Sequence, residues 1–106
     1  MTPSEQKGFR ALADPTRRSI LQLLAKQDMT IAEVADNFDM TRAAVKKHLV
    51  VLRDGDLISV RTEGRSRRNT LNADGLKRLV DWFSYFDAFW DSKLSTLKTQ
   101  IEKDIQ

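Results

Sequence analysis

In Thr30-Ile31-Ala32-Glu33-Val34-Ala35-Asp36-Asn37-Phe38-Asp39-Met40-Thr41-Arg42-Ala43-Ala44-Val45-Lys46-Lys47-His48-Leu49-Val50-Val51-Leu52, two helix starts follow each other closely. Thr30 with Glu33 three residues later is a capping box, in which hydroxyl and carboxylate each take up an orphan backbone N–H of the first turn. Ile31, Val34 and Ala35 then face inward, and this helix is expected to end near Phe38. After Asp39-Met40, Thr41 caps a second helix, with Met40 and Val45 placed as a hydrophobic staple. Val45, Leu49 and Leu52 continue its buried face, and Gly55 ends it. Two short helices joined by a tight turn, the second carrying basic residues in its first two turns, make a helix-turn-helix.

Upstream, residues 4–12 read as a short helix with Phe9 and Leu12 on one side, weakened by Gly8. Asp14-Pro15 starts the next helix, because the carboxylate accepts from orphan N–H groups and proline at the first position has no N–H to leave unpaired. Ile20, Leu21, Leu23 and Leu24 give it an apolar stripe to about Lys26. Downstream the period changes. Leu57-Ile58-Ser59-Val60-Arg61 and Arg68-Asn69-Thr70-Leu71 are short β-type runs around Glu63-Gly64-Arg65, a hairpin with glycine where positive φ is needed. From the cap Asn72 the helical period returns: Leu76, Leu79, Phe83, Phe86, Trp90, Leu94, Leu97 and Ile101 form a seam close to coiled-coil spacing. A single helix over 73–104 is expected, about 48 Å long at ~1.5 Å per residue. It exceeds the diameter of the domain it belongs to, so part of its seam needs another surface. The fold class is therefore mainly α with a small β-hairpin: about five helices and a two-stranded wing.

The chain has 106 residues, 41% hydrophobic and 31% charged, which fits one domain over 1–106 without internal repeats or linkers. A domain this short buries only about 60 to 70% of its unfolded surface, so oligomerisation is an expected source of further burial. There is no cysteine and one histidine, His48, which leaves no ligand set for a structural zinc. No apolar run approaches the roughly 20 residues that span a bilayer, and Met1-Thr2-Pro3-Ser4-Glu5-Gln6-Lys7 lacks the apolar stretch of a signal peptide, so a cytoplasmic protein without membrane contact is expected. Net charge is only +3, but residues 41–71 hold eight basic residues against three acidic, while 72–106 hold five against six. A basic block beside a neutral apolar block suits a polyanion-binding surface and a separate packing surface.

Within the basic block the buried set of the second helix settles which residues face out. Arg42, Ala43, Lys46 and Lys47 do. Ala43 allows close approach to base edges or a thymine methyl, and Arg42 and Lys46 can donate to guanine or phosphate. Thr41 and the first N–H groups suit phosphate. Arg61, Arg65, Arg67 and Arg68 cluster on the hairpin, where they can track an adjacent backbone or minor groove.

The run Phe9-Arg10-Ala11-Leu12-Ala13-Asp14-Pro15-Thr16-Arg17-Arg18-Ser19-Ile20-Leu21, the helix Thr41-Arg42-Ala43-Ala44-Val45-Lys46-Lys47-His48-Leu49-Val50-Val51-Leu52 and the hairpin around Gly64, in this order, resemble the ArsR/SmtB family of winged helix-turn-helix repressors over about residues 5–90. The resemblance implies a homodimer built from the first and last helices and DNA contacts on the fourth helix and wing. Metal-sensing members carry a cysteine pair in the helix corresponding to residues 30–38, or Asp, His and Glu ligands on the last helix. Here the former has no thiolate, and the latter offers Asp81, Asp87 and Asp91 without histidine. The likeness is to a metal-independent branch that needs no cofactor.

Trp82, Tyr85 and Phe89 add a second aromatic line, so that six of the eight aromatics fall in residues 82–90. Such a stripe is more often core or interface than ligand box, though a small apolar effector of unknown identity is left open. The expected dimer interface comprises Phe9, Leu79, Phe83, Phe86 and Trp90, extended by Leu94 and Leu97; a cut after Trp90 is expected to weaken the dimer without abolishing the fold. No nucleophile–base pair or carboxylate dyad supports catalysis. The expected function is a dimeric, sequence-specific DNA-binding repressor of a pseudo-palindromic operator; the alternative is a winged-helix module for protein–protein assembly.

Overall fold

A computed structural model describes residues 1–105. Its elements run α1 (Pro3–Leu12), α2 (Pro15–Lys26), α3 (Ile31–Ala35), α4 (Arg42–Asp54), β1 (Ile58–Glu63), β2 (Ser66–Leu71), α5 (Ala73–Phe83), a 3-10 turn (Ser84–Phe86) and α6 (Asp87–Ile105). Local chemistry opens each of the first five helices. Thr2 and Thr30 form capping boxes with Glu5 and Glu33. Thr41 Oγ1 accepts from the Ala44 N–H at 3.1 Å, and Asn72 Oδ1 from the Gly75 N–H at 3.3 Å. Pro3 and Pro15 both occupy first-turn positions. The first helix thus begins at Pro3, one residue ahead of expectation, because Thr2 and Glu5 make a capping pair.

Asp14 caps α2 by accepting from the N–H groups of Thr16 at 2.7 Å and Arg17 at 3.2 Å. Partial burial pushes its carboxyl pKa up, but those backbone donors, the Arg17 guanidinium and His48 outweigh it and hold the group below the ordinary 3.8. A lowered folded pKa means that the ionised cap stabilises the fold above the ordinary value and that this contribution is lost as pH falls through the folded value. Asp14→Ala is therefore expected to lower stability by a constant amount near neutrality, with the gap to wild type closing below about pH 3.8, in urea titrations run across pH. A gap that widened on acidification would contradict the assignment.

Two expectations need correction and one needs refinement. First, α3 ends at Ala35 rather than Phe38, since the N–H groups of Asn37 and Phe38 bond back only three residues, to Val34 and Ala35, and Asn37 Nδ2 takes the Glu33 carbonyl at 2.9 Å. The tightened turn swings Phe38 and Met40 against the core. Second, Gly55 ends α4 as expected, but without the left-handed backbone usual for a terminating glycine. That conformation falls on Asp56, at φ 60°. Gly55 is needed for close approach: a Cβ there would lie 3.0 Å from Gly8 Cα and the Lys7 carbonyl, and one on Gly8 would meet Leu79 at 3.1 Å. The glycine that weakened the first helix in sequence is where α1 crosses α4 and α5. Third, the long terminal helix is interrupted at 84–86. Ser84 Oγ bonds the Asp81 carbonyl, a local bond that competes with the helical ladder, and the chain tightens to 3-10 geometry before α6 resumes.

The two strands pair antiparallel in the register Ile58↔Leu71 to Glu63↔Ser66, leaving Gly64-Arg65 as a two-residue turn. Positive φ at Gly64, the first of the two, suits a type II′ turn, whose twist matches the strands. Both strands extend further toward the tip than expected. Met29 bridges Asn69 from the other edge, by reciprocal N–H bonds of 3.1 and 2.7 Å, and Asn69 Nδ2 adds a bond to the Met29 carbonyl at 3.2 Å. The wing is thereby anchored to the α2–α3 connection.

The core gathers Ala11, Ile20, Leu24, Val34, Val45, Leu52, Leu57 and Leu79 from every helix up to α5 and from the foot of the wing. By contrast α6 buries no residue, although Trp90, Leu94, Leu97 and Ile101 lie along it. At ~1.5 Å per residue it projects about 28 Å, within a long axis of 65 Å. No helix among the described residues is long and apolar enough to cross a membrane.

Candidate nucleic-acid interface

The packing of α4 determines its free side. Val45, Leu49 and Leu52 are buried at helical spacing, which turns Arg42, Ala43, Lys46, Lys47 and Arg53 to solvent. Thr41 sits at the helix start with its oxygen occupied by the cap and its hydroxyl proton available to donate. Among the described residues, no carboxylate pairs with Arg42, Lys46, Lys47, Arg53, Arg65 or Arg67. These six cations present their charge outward.

The wing arginines divide into two pairs. Alternation along the strands puts Ser59, Arg61, Glu63, Ser66, Arg68 and Thr70 on one face and Val60, Thr62, Arg67 and Asn69 on the other. Arg61 and Arg68 are directly opposed, where like charges would repel. Carboxylates neutralise them: Arg61 lies 3.1 Å from Asp28 and 3.6 Å from Glu63, and Arg68 lies 3.7 Å from Glu33 and 3.5 Å from Glu63. Arg68 also donates to the Asp28 carbonyl at 3.2 Å. Arg61 and Arg68, expected as DNA ligands, also tie the wing to the α2–α3 connection through these ion pairs, with the Arg61 side chain still 60% exposed. Arg65 at the tip and Arg67 on the opposite face have no carboxylate partner among the described residues.

Arg67 faces a groove between the wing and α4, lined also by Ile31, Lys46, Leu49, Val50, Arg53, Val60 and Asn69. Three cations, Lys46 and Arg53 on α4 and Arg67 on the wing, therefore line one groove. Arg53 is absent from the sequence-derived set. Its signal was legible in the spacing, since it stands two helical turns after Lys46 on the same exposed side.

On the far side of the molecule, Phe9 packs edge-on against Trp82 at 5.6 Å and Phe83 at 5.8 Å, and Trp82 against Phe86 at 5.4 Å. This cluster joins α1 to α5 and leaves Phe83 and Phe86 partly open. Trp90 and Leu94 to Leu97 extend the open line onto α6. Leu79, expected in the dimer interface, is only 3% exposed and fills the protomer's own core beside Gly8, so it has no surface to offer a partner. Phe9 also lies mostly within its own protomer's aromatic cluster.

A family of helix-turn-helix domains matches residues 12–61. The transcriptional repressor SdpR of Bacillus subtilis is 35% identical over 78 residues, covering 74% of this chain and 87% of that protein. An HTH-type transcriptional regulator of Mycobacterium tuberculosis is 33% identical over 101 residues, 95% of this chain and 92% of that one. Among solved structures, the crystal structure of an ArsR family transcriptional regulator superposes with a TM-score of 0.74 at 31% identity, covering 83% of this chain and 97% of its own. With a helix-turn-helix whose second helix bares a cationic face, a wing beside it and relatives of nearly full length, the chain belongs to the ArsR family of winged helix-turn-helix DNA-binding transcriptional regulators.

Proposed function

We propose that the protein is a homodimeric, sequence-specific repressor that places α4 in the major groove of a pseudo-palindromic duplex and lays the wing along the adjoining backbone. The observation that carries this reading is the cationic surface, without carboxylate partners among the described residues, shared by Arg42, Lys46, Lys47 and Arg53 on α4 and Arg65 and Arg67 on the wing. The exposed apolar line from Phe83 to Ile101 supports pairing of two copies, since a soluble monomer rarely shows so long a patch. Two recognition helices related by a two-fold axis would enter grooves ~34 Å apart or a multiple of it. We assign it to the cytoplasm, acting by occupancy of DNA and not by catalysis.

Base reading and backbone contact separate by mutation. Arg42→Ala or Lys46→Ala is expected to relax preference at particular base pairs by ~1–3 kcal/mol wherever the side chain makes a bidentate contact. Arg65→Ala or Arg67→Ala is expected to weaken all sequences alike and to reduce the slope of log affinity against log salt by about 0.9 for each phosphate no longer neutralised. Fluorescence anisotropy on selected and scrambled duplexes over a salt series reads both quantities. Wing variants that lost discrimination while helix variants kept it would reverse the docking.

Regulation by a soft or borderline metal has no chemical basis in a chain with no cysteine and one histidine. Zn2+, Cd2+ or chelator is expected to leave DNA affinity and thermal midpoint unchanged; a stoichiometric, tightly held metal in the purified protein would refute this.

A further inference from the structure

We propose that Arg17 is a positioning residue for the DNA interface: by donating to His48 Nδ1 it holds the imidazole in the Nε2–H form and directs that N–H to a DNA phosphate beside α4, an assignment that rests on the DNA-binding reading above. Arg17 lies in the first turn of α2 with its side chain 16% exposed. Its Nε donates to the Ala11 carbonyl at 2.8 Å and its Nη2 to the Arg10 carbonyl at 3.3 Å. Its Nη1 stands 3.7 Å from the Asp14 carboxylate and 3.4 Å from His48 Nδ1. The guanidinium is thus fixed on three sides by the α1–α2 corner, and its remaining direction reaches the recognition helix.

The chemistry of the pair leaves one arrangement. A guanidinium only donates and keeps its proton at any working pH, so Nδ1 has to supply the lone pair, and the neutral ring then carries its proton on Nε2. Among the described residues, the His48 ring has a hydrogen-bond partner only at Nδ1. The ring is half-buried, on the flank of α4 between the exposed Lys47 and the buried Leu49. Base edges are read from the outermost side of a recognition helix, whereas its flank passes the sugar-phosphate backbone. An N–H held in one orientation there would serve as a backbone ligand with little reorganisation on binding. The competing reading is that Arg17 merely caps the last carbonyls of α1.

Because His48 is the sole histidine, 15N–1H correlation spectra of the full chain report it alone. Wild type is expected to show a pyridine-like Nδ1 and a pyrrole-like Nε2, and Arg17→Met a mixture of the two tautomers. A phosphate contact is blind to sequence, so a generic B-form duplex serves as the probe. Arg17→Met and His48→Leu are each expected to lose about tenfold in affinity, the scale of one hydrogen bond to a charged group, and the double variant no more than either. His48→Gln, whose amide can accept from Arg17 and donate to phosphate, is expected to retain most of the binding and stays informative should Arg17→Met fold poorly. A pyrrole-like Nδ1 in wild type, or losses that add in the double variant, would overturn the assignment while leaving DNA binding intact. Absence of duplex binding by wild type would overturn the functional reading, and this assignment with it.

Discussion

Gly75→Ala is expected to destabilise the protein by about 3 kcal/mol or more, the upper range for forcing atoms into a filled space. Propensity alone points the other way, because alanine is favoured over glycine inside a helix by up to about 1 kcal/mol. Sterics decide it. A Cβ at Gly75 would lie only 1.6 Å from the Asp56 carbonyl oxygen and 2.7 Å from its carbon, and both belong to backbone that cannot swing aside like a side chain. Asp56 is itself held, at φ 60°, by the Ser4 hydroxyl at 2.6 Å and by Arg78 at 3.7 Å. The adjoining Leu57 carbonyl accepts from the Asn72 N–H at 2.9 Å. Relief requires the start of α5 to lift from the α4–β1 turn, which would draw Leu79 away from its fit against Gly8 and loosen α1. Urea denaturation with a fitted m-value measures the loss; a variant as stable as wild type would mean that α5 does not start against Asp56 in solution.

Trp90→Glu is expected to weaken self-association at least 100-fold, which corresponds to about 2.7 kcal/mol. Trp90 is 53% exposed, stands beside Phe89 with ring centroids 5.1 Å apart, and sits in the middle of the open line from Phe83 to Ile101. A buried tryptophan is a common anchor of an interface, and a carboxylate in its place would have to be desolvated without a partner. Because α6 contributes nothing to the protomer core, circular dichroism and the urea midpoint of the isolated protomer should change little. DNA affinity should fall along with dimer mass, since two half-sites held by one dimer bind far more tightly than one. Sedimentation equilibrium at micromolar concentration reads the outcome: a dimer of unchanged mass would place the interface elsewhere.

Much of the candidate interface was legible in the residues because its determinants are local. The Thr41 cap, the spacing of Val45, Leu49 and Leu52, and hence the outward side of Arg42, Ala43, Lys46 and Lys47 all follow from contacts within about one helical turn. The same holds for Asp14-Pro15 and for glycine in the wing turn. Arg53 was readable by the same spacing. The ion pairs of Arg61 and Arg68 were not: in sequence these are two more cations on a basic hairpin, and only the fold brings Asp28 and Glu33 beside them.

The sequence by itself determined where α2 to α5 begin, which face of α4 is free and which surface is left apolar, since hydrogen-bonding caps and side-chain period act over a few residues whatever the chain does elsewhere. Tertiary structure alone decided the rest. Gly8 and Gly55 are required because α1 and α4 approach to the limit of backbone contact, the left-handed turn falls on Asp56 because Ser4 and Arg78 arrive from distant helices to hold it, and Leu79 is core because Gly8 leaves it room. Each of these depends on which two distant surfaces meet, and no residue carries that information about its own eventual neighbour.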